Sequence, residues 1–585
     1  MCAVSAIALA AAGHAPAAAQ FEDDVFDEAA VEAELDAALD AADDEDDEVE
    51  TFVVEGRRVR GTTLTDVEPE IVLGEEEIAA YGASSFAQLL AELAPETSSG
   101  RGRRGGGGPV VLLNGRRISG FREIGRYPTE ALARVEVLPE EVSLAYGFSA
   151  DQRVINFILK PDVTIMALEG RVTAPDEGGS TSPDGSLQRL NVDGDERFSL
   201  DASGGFRPPI LENERDILFA GDAAAADVRT LIAERDEWRA GFSLARGFLW
   251  GSAATLSGSF EQVSEDDLLG EDLSGLNPAL QQERKTDDAN LGFSVVSRLA
   301  PTTWNFTANY NRVEADTATD LNVDDGGGGF DAAVRTTSSV RSATTADFVV
   351  NTQLAALSAG PLSATGQAGF ARETQDIEID DVDNDVTSDA SRTTFSARGS
   401  LDAPVVAPGP IPGTVSFNGN IEVEDLSDFG TLLTYGYGIN WRPIDKLRII
   451  ASTTVEEGAP ALSAVGDPTI VTPNARVFDF STGTDVFATV VSGGNPDLIA
   501  DDRRVFKVGV QVDPIKDVRF RINIDYTRSR IDNETRSFPL LTEEVEAAFP
   551  DRVLRDAAGT LVSFDRRPVV AARTERQELR TGITW

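Results

Sequence analysis

Strict apolar–polar alternation after about residue 162 is the feature that most limits how this chain can fold. Leu433, Tyr435, Tyr437, Ile439 and Trp441 alternate with Thr434, Gly436, Gly438 and Asn440. Trp304, Phe306, Ala308 and Tyr310 alternate with Asn305, Thr307, Asn309 and Asn311. Val518, Phe520, Ile522, Ile524 and Tyr526 alternate with Arg519, Arg521, Asn523, Asp525 and Thr527. A period of two puts successive side chains on opposite faces of a strand. A soluble sandwich gives the same pattern. Two details favour strands that cross a bilayer around a wet interior: segments of about ten residues, and small hydrophilic polar faces. Short Pro-containing turns at 300–302, 359–361, 442–444 and 513–515 suggest one rim. Polar stretches at 264–288, 314–337 and 375–391 read as long loops on the other. Trp250, Trp304 and Trp441 fall near segment ends, where interfacial girdles form.

Composition removes whole classes of function. No apolar run approaches the roughly 18 residues of a membrane helix. A net charge of −48 excludes nucleic acid, whose phosphates need a basic face. Cys2 and His14 are the only cysteine and histidine. Both lie in residues 1–20, where Ala3–Ala12 and Ala17-Ala18-Ala19 read as a signal peptide without a basic n-region. Its removal leaves no thiol chemistry, no Ser-His triad and no His or Cys metal site. It also disfavours a histidine-ligated haem. Carboxylates remain as acid–base groups, but in so acidic a chain none stands out. Asp381-Val382-Asp383-Asn384-Asp385 starts like a calcium loop, yet Val386 and Arg392 occupy the positions of the required Gly and Glu. The reading is therefore not an enzyme, with no cofactor and no metal.

The N-terminal part is organised differently. Residues 22–50 hold sixteen Asp and Glu and no basic residue. Such a run repels itself, so 21–49 is expected to be a disordered tether. Glu50-Thr51-Phe52-Val53-Val54-Glu55-Gly56 is a short β-prone run that either begins a sheet or adds as a strand to a partner. Glu75–Ala94 has helical spacing of Ile78, Phe86, Leu89, Leu90 and Leu93, and Ser84-Ser85 starts a second helix. Gly100, Gly102 and Gly105 satisfy G-x-G-x-x-G, but no strand precedes them, so a dinucleotide site is rejected. Arg101, Arg103 and Arg104 in this Gly-rich loop are candidate contacts for an anionic ligand or an acidic interior, against the plainer reading of a flexible loop. Val110–Leu113 reads as a strand entering the Asn114-Gly115 turn. The runs Arg134–Leu138 and Val154–Lys160 flank a Tyr146-Gly147 turn.

This order of strand, Asn-Gly turn, strand, Tyr-Gly turn and strand resembles the plug domain of TonB-dependent outer-membrane receptors. The resemblance implies a mainly β fold: a transmembrane antiparallel β-barrel with an N-terminal α/β plug. It implies a TonB-box-like segment at 50–56, a plug at 66–162 and a barrel at 163–585. It implies energy-coupled uptake of a scarce solute, and as partners a TonB-like inner-membrane energy transducer, outer-membrane lipid, the barrel assembly machinery and an unidentified small-molecule ligand. The terminal Trp585 is similar to the aromatic that ends such barrels, where Phe is usual. The candidate strands number roughly 16–18, against roughly 22 in plugged outer-membrane transporters. The chain is thus expected to form an incomplete or narrower barrel that a plug fits poorly, closing if at all between 163–171 and the strand ending at Trp585. The alternative is a non-transporting or truncated outer-membrane barrel with a structural or adhesive role.

Overall fold

The computed structural model describes residues 4–6 and 61–584, with interruptions of which the longest are 98–107, 216–225, 408–412 and 515–519. The tether, the segment Glu50–Gly56 and Arg101, Arg103 and Arg104 lie outside the described residues.

The chain opens with β1 (Val4–Ala6). Residues 61–160 then build a small α/β unit from β2 (Ile71–Gly74), β3 (Val110–Leu113), β4 (Arg116–Arg117), β5 (Leu132–Leu138) and β6 (Val154–Leu159). Their spatial order is β2-β5-β6-β3-β4, with β3 parallel to β6 and the other pairs antiparallel. All six residues of β6 are buried, as expected of a strand covered on both faces. Helices α1 (Glu75–Ala80), α2 (Phe86–Glu92) and α3 (Ala94–Thr97) cover one side. The Ser85 side chain accepts from Gln88 N and caps α2, as the sequence suggests. Phe86 stacks on Phe157 with centroids 4.9 Å apart. Leu89, Leu93, Leu132 and Ile155 complete the core. Burying one such side chain stabilises the unit by about 1.5–3 kcal/mol.

The rest is dominated by sixteen long strands in one antiparallel sheet. They are β7 (Asp162–Thr173), β8 (Ser182–Asp193) and β9 (Glu196–Arg207). A small hairpin, β10 (Ile210–Leu211) with β11 (Thr230–Ile232), interrupts them. The series continues with β12 (Glu234–Gly247), β13 (Ala253–Gly270), β14 (Leu280–Leu299), β15 (Thr302–Asp324), β16 (Phe330–Leu357), β17 (Gly360–Asp380) and β18 (Val386–Val406). Then come β19 (Thr414–Leu426), β20 (Gly430–Ile444) and β21 (Leu447–Gly458). Two further strands, β22 (Ile470–Asp479) and β23 (Thr484–Ser492), precede β24 (Asp501–Val512) and β25 (Arg521–Arg536). After β26 (Val553–Arg555) and β27 (Leu561–Asp565), β28 (Val569–Thr584) ends the chain. β9 pairs directly with β12, so the β10–β11 hairpin stands outside the sheet.

The sheet's polarity is that of a membrane barrel. Tyr435, Tyr437 and Trp441 point outward and are exposed, whereas Thr434 is buried. Tyr310 and Ile524 are likewise exposed, and Asn305, Thr307 and Thr527 buried. A soluble sandwich would bury the apolar face instead.

The short Pro-containing turns do lie together on the rim where β7 begins. The long loops do not exist as expected. The stretches 264–288, 314–337 and 375–391 continue as strands, leaving only 271–279, 325–329 and 381–385 as turns. β16 has 28 residues, which at roughly 3.3 Å per residue reaches about 90 Å, far beyond a bilayer core of about 30 Å. Above the lipid both faces of a strand meet water, so alternation vanishes while the ladder continues.

At the far rim α4 (Leu462–Gly466) and α5 (Glu543–Ala548) belong to two long connections. These connections are joined by a four-stranded sheet of order β22-β23-β27-β26, in which β23 and β27 run parallel. Arg555 knots this cap together. It reaches Asp479 at 2.9 Å and Glu546 at 2.8 Å. The Arg555 guanidinium and Ser481 hold the Asp479 carboxyl at about 2.

Candidate functional site: the plug–wall interface and lumen

The α/β unit sits inside the ring. Its residues contact inward-facing side chains from β9, β13, β14, β16, β18 and β24, all on the same sheet face. The expectation of a poor fit in a sixteen-strand barrel is thereby corrected. The physical reason is side-chain size: Ser199, Ser243, Ser257, Ser294, Thr307 and Ser400 are buried on the inner wall and leave room.

Two turns read from the sequence position this interface. Asn114 and Gly115 both take positive φ, 52° and 68°, as a two-residue hairpin turn requires. Leu159 N donates to Asn114 Oδ1, and Gly115 N to the buried Asn156 Oδ1. The turn projects Arg116 and Arg117 toward the wall. Gly147 has φ +79°, and a Cβ there would lie 2.8 Å from Val349 Cγ2. The Tyr146-Gly147 turn therefore serves docking as well as chain reversal.

Arg117 meets Asp347 of β16 at 2.8 Å and lies 4.2 Å over the Phe148 ring. Burial, helped by nearby Arg398, pulls its guanidinium below the ordinary value, and Asp347 opposes this. Arg398 of β18 donates to Gly147 O and pairs with Glu422. Arg197 of β9 pairs with Glu123, which also accepts from Ser119 Oγ at 3.0 Å.

Between these fixed points the loop 118–126 faces the lumen. Arg122 pairs with Asp288 at 2.8 Å, and its side chain is 45 % exposed. Arg126 lies 3.7 Å from Asp201 and donates to Ser203 Oγ at 3.2 Å. Burial, then neighbouring Arg239, lowers its affinity for the proton. Arg239 itself pairs with Glu261 at 3.0 Å. Arg122, Arg126, Arg239, Ser259 and Asn290 line one small pocket. Each guanidinium has five donors, and one carboxylate does not use them all. Glu123 and Asp201 line the same pocket, so its spare guanidinium donors lie beside carboxylates.

A second cluster anchors the unit to β24 and β25. Lys507 reaches Glu140 at 2.9 Å and Asp525 at 3.4 Å. Arg153 reaches Glu70 at 3.2 Å and Glu140 at 3.9 Å. Burial raises Glu70 above the usual carboxylate range, against the pull of Arg153. Arg521, held by Asp513 at 2.9 Å, donates to Pro69 O at 3.0 Å. Nearer the N-terminus, Asn156 Nδ2 donates to Gly61 O at 2.8 Å and Leu64 N to the Tyr146 hydroxyl at 3.0 Å.

The mouth is folded over. The connection containing α4 enters the lumen, where Arg392 donates to Pro460 O and Ser388 to Gly466 O, both at 2.8 Å. Arg392 is also held by Asp428 at 2.7 Å.

The sequence points to the Asn114-Gly115 and Tyr146-Gly147 turns but to none of these charged contacts as site residues, and its candidate arginines, Arg101, Arg103 and Arg104, lie outside the described residues. The one available signal was Arg116-Arg117 directly after the Asn-Gly turn.

No family model and no curated protein matches the chain. Solved structures do. The siderophore receptor PirA from Pseudomonas aeruginosa aligns with a TM-score of 0.54 and 14 % identity, over 88 % of this chain and 81 % of that one. A variant of the ferric enterobactin receptor PfeA from the same organism gives 0.55 and 13 %, over 88 % and 77 %. The hemophore receptor HasR of Serratia marcescens, solved with its hemophore and heme, gives 0.52 and 11 %, over 88 % and 78 %. A polarity-inverted barrel enclosing an α/β unit, together with these alignments, gives the chain the plug-and-barrel fold of the TonB-dependent receptors.

Proposed function

We propose that this chain is an outer-membrane receptor for uptake of an anionic solute of the iron-chelate type, driven by a TonB-like inner-membrane transducer. The observation that carries the solute class is the pair Arg122 and Arg126 on the lumen-facing plug loop, with Arg239 opposite. No covalent step is involved. Glu50–Gly56 is the segment through which the transducer pulls, and the pull meets the Asn156 and Tyr146 contacts at Gly61 and Leu64 before the Arg521 and Arg153 contacts at Pro69–Glu70. Arg101, Arg103 and Arg104 are further candidate cationic contacts for the ligand. The test is accumulation of labelled ferric chelates by an iron-limited strain carrying only this receptor. Deleting 50–56 should abolish uptake while leaving the protein in the membrane. Changing Arg122 and Arg126 to Glu should lower uptake at least tenfold. Unchanged uptake in both variants overturns the reading.

A second reading, a non-transporting barrel with a structural role, has one observation in its favour. The sheet order sets β28 beside β7, yet among the described residues no strand register joins them, and β7 pairs with β8 and β1. A correctly inserted protein without energy-dependent uptake of any chelate would favour it.

A further inference from the structure

Above the apolar band of the outer wall, β24, β25 and β28 turn four arginines outward. The outward positions of β24 are Val512, Val510, Val508 and Phe506, followed by Arg504 and Asp502. The register carries these rows across the sheet. Phe506 stands opposite Arg528 of β25, and Arg504 opposite Arg530. Arg530 in turn faces Glu575 of β28, and Asp532 faces Arg573. Phe506, Ile524 and Leu579 on this face are exposed, whereas Arg503, Lys507 and Thr527 on the other are buried. The four arginines therefore look away from the lumen. From Val512 to Arg504 the strand climbs about 20 Å, at roughly 3.3 Å per residue and a tilt of about 40°. That brings Arg504 and Arg528 to the top of an apolar band about 25 Å tall, on the side away from the short Pro-containing turns. Lipid headgroups lie at this level.

The charges there are unusual for this chain. Four arginines meet three carboxylates: Arg504 reaches Asp502 at 3.1 Å, Arg530 and Arg573 both reach Asp532 at 2.9 Å, and Arg528 lies 3.8 Å from Glu575. The local balance is positive in a molecule of net charge −48. Arg504 directly opposite Arg530 is a pairing that a sheet disfavours. Each holds a carboxylate along its own strand, but a guanidinium has five donors, and these contacts leave some over. Its planar fork matches phosphate through two parallel hydrogen bonds. A phosphate seated among Arg504, Arg528 and Arg530 would relieve their mutual repulsion. Elsewhere at this level arginines stand singly. Arg312 of β15 pairs with Glu314 at 2.9 Å, and Arg372 of β17 faces Thr344 and Thr393.

We infer that Arg504, Arg528, Arg530 and Arg573 form a binding site for the phosphate groups of a lipid in the outer leaflet. Its acyl chains lie below, against Phe506, Tyr526 and Leu579. The site is on the outer wall and does not depend on the uptake reading.

The test is native mass spectrometry of the whole chain in detergent. It is titrated with a diphosphorylated glucosamine-disaccharide lipid or with the same lipid stripped of its phosphates. The wild type should bind the phosphorylated form at least tenfold more tightly. Arg504→Gln/Arg528→Gln should lower that affinity at least tenfold. Arg312→Gln/Arg372→Gln removes the same charge from another sector of the wall and should leave it unchanged. All four substituted side chains are exposed, so both variants should keep the heat-modifiable gel mobility of a folded barrel. Equal affinity of the wild type for the two lipids, or an equal loss in the two double variants, overturns the site. Displacement of the lipid by millimolar inorganic phosphate assigns the cluster to free anions and overturns the lipid assignment.

Discussion

The Lys507–Glu140 pair gives the sharpest test of how the plug is held. Both side chains are almost fully enclosed, at 7 % and 2 % exposure, and the pair closes at 2.9 Å. Replacing Lys507 with Met keeps the volume but leaves the Glu140 carboxylate with Arg153 at 3.9 Å as the nearest cation. Removing one partner of a buried pair costs about 3–5 kcal/mol, chiefly from the stranded charge. Arg153 offsets part of this, so we expect about 3 kcal/mol. With a urea dependence of about 1–3 kcal/mol/M, the midpoint for plug unfolding should fall by roughly 1–3 M. The readout is hydrogen exchange of plug amides over a urea series in the folded barrel. The double variant Lys507→Met/Glu140→Gln removes both charges and should recover at least half of the loss. A single-variant loss under about 0.5 kcal/mol, the range of an exposed pair, would refute the claim that this contact anchors the plug.

Gly147→Ala should loosen plug docking by about 1–3 kcal/mol, because φ is positive and the methyl meets Val349; the same exchange experiment reads it, and Gly82→Ala, with open space around its Cβ, should show backbone strain alone. Arg555→Met should expose the cap to protease at 553–565, since Asp479 and Glu546 lose their shared cation. The Asp479 carboxyl is depressed from 3.8 to about 2. Its contribution is therefore complete above about pH 4 and is lost as pH falls through about 2, so wild-type cap proteolysis by an acid-active protease should rise only in that window. Tyr437→Arg puts a charge on the outward face and should destabilise the barrel by about 2–4 kcal/mol if it lies at mid-bilayer, read as heat-modifiable gel mobility; Thr434→Ser, on the inner face, should leave it unchanged.

How much was legible in the sequence depended on range. The capped helix at Ser85, the Asn114-Gly115 hairpin and the Gly147 turn are local and follow from propensity and turn chemistry. The outward faces of β15, β20 and β25 follow from period two, because lipid on one side and water on the other impose it. The count of roughly 16–18 strands held at sixteen for the same reason. The strand extensions above the lipid were not legible, since water on both faces erases alternation. The interface was not legible either. Lys507 and Glu140 are 367 positions apart, and in a chain with 99 acidic residues a single Glu carries no signal. The sequence drew attention to the three consecutive-looking arginines of the Gly-rich loop. Among the described residues the plug loop's lumen-facing arginines are Arg122 and Arg126, which stand apart in an unremarkable run.

The remaining tension lies at the seam between the first and last long strands. Elsewhere on the long strands outward apolar side chains reach 64 % exposure at Tyr437 and 59 % at Phe395. At the seam Met166 and Leu168 of β7 reach 74 % and 72 %, and Leu579 and Ile583 of β28 reach 66 % and 70 %. Part of the β7 edge is taken by β1, with Val4, Ser5 and Ala6 opposite Val172, Arg171 and Gly170. Unpaired backbone groups cost several kcal/mol each in hydrocarbon. An edge that accepts three residues of added strand is therefore the part of this barrel with most to gain from further pairing. One group of buried plug contacts lies near it. β24 and β25 lie next to β28 in sheet order, and there the plug is gripped by Lys507, Asp525 and Arg521. The plug braces the strands beside the seam from within. Weakening that grip should therefore loosen β28 as well as the plug, coupling barrel stability to plug docking on this side of the ring.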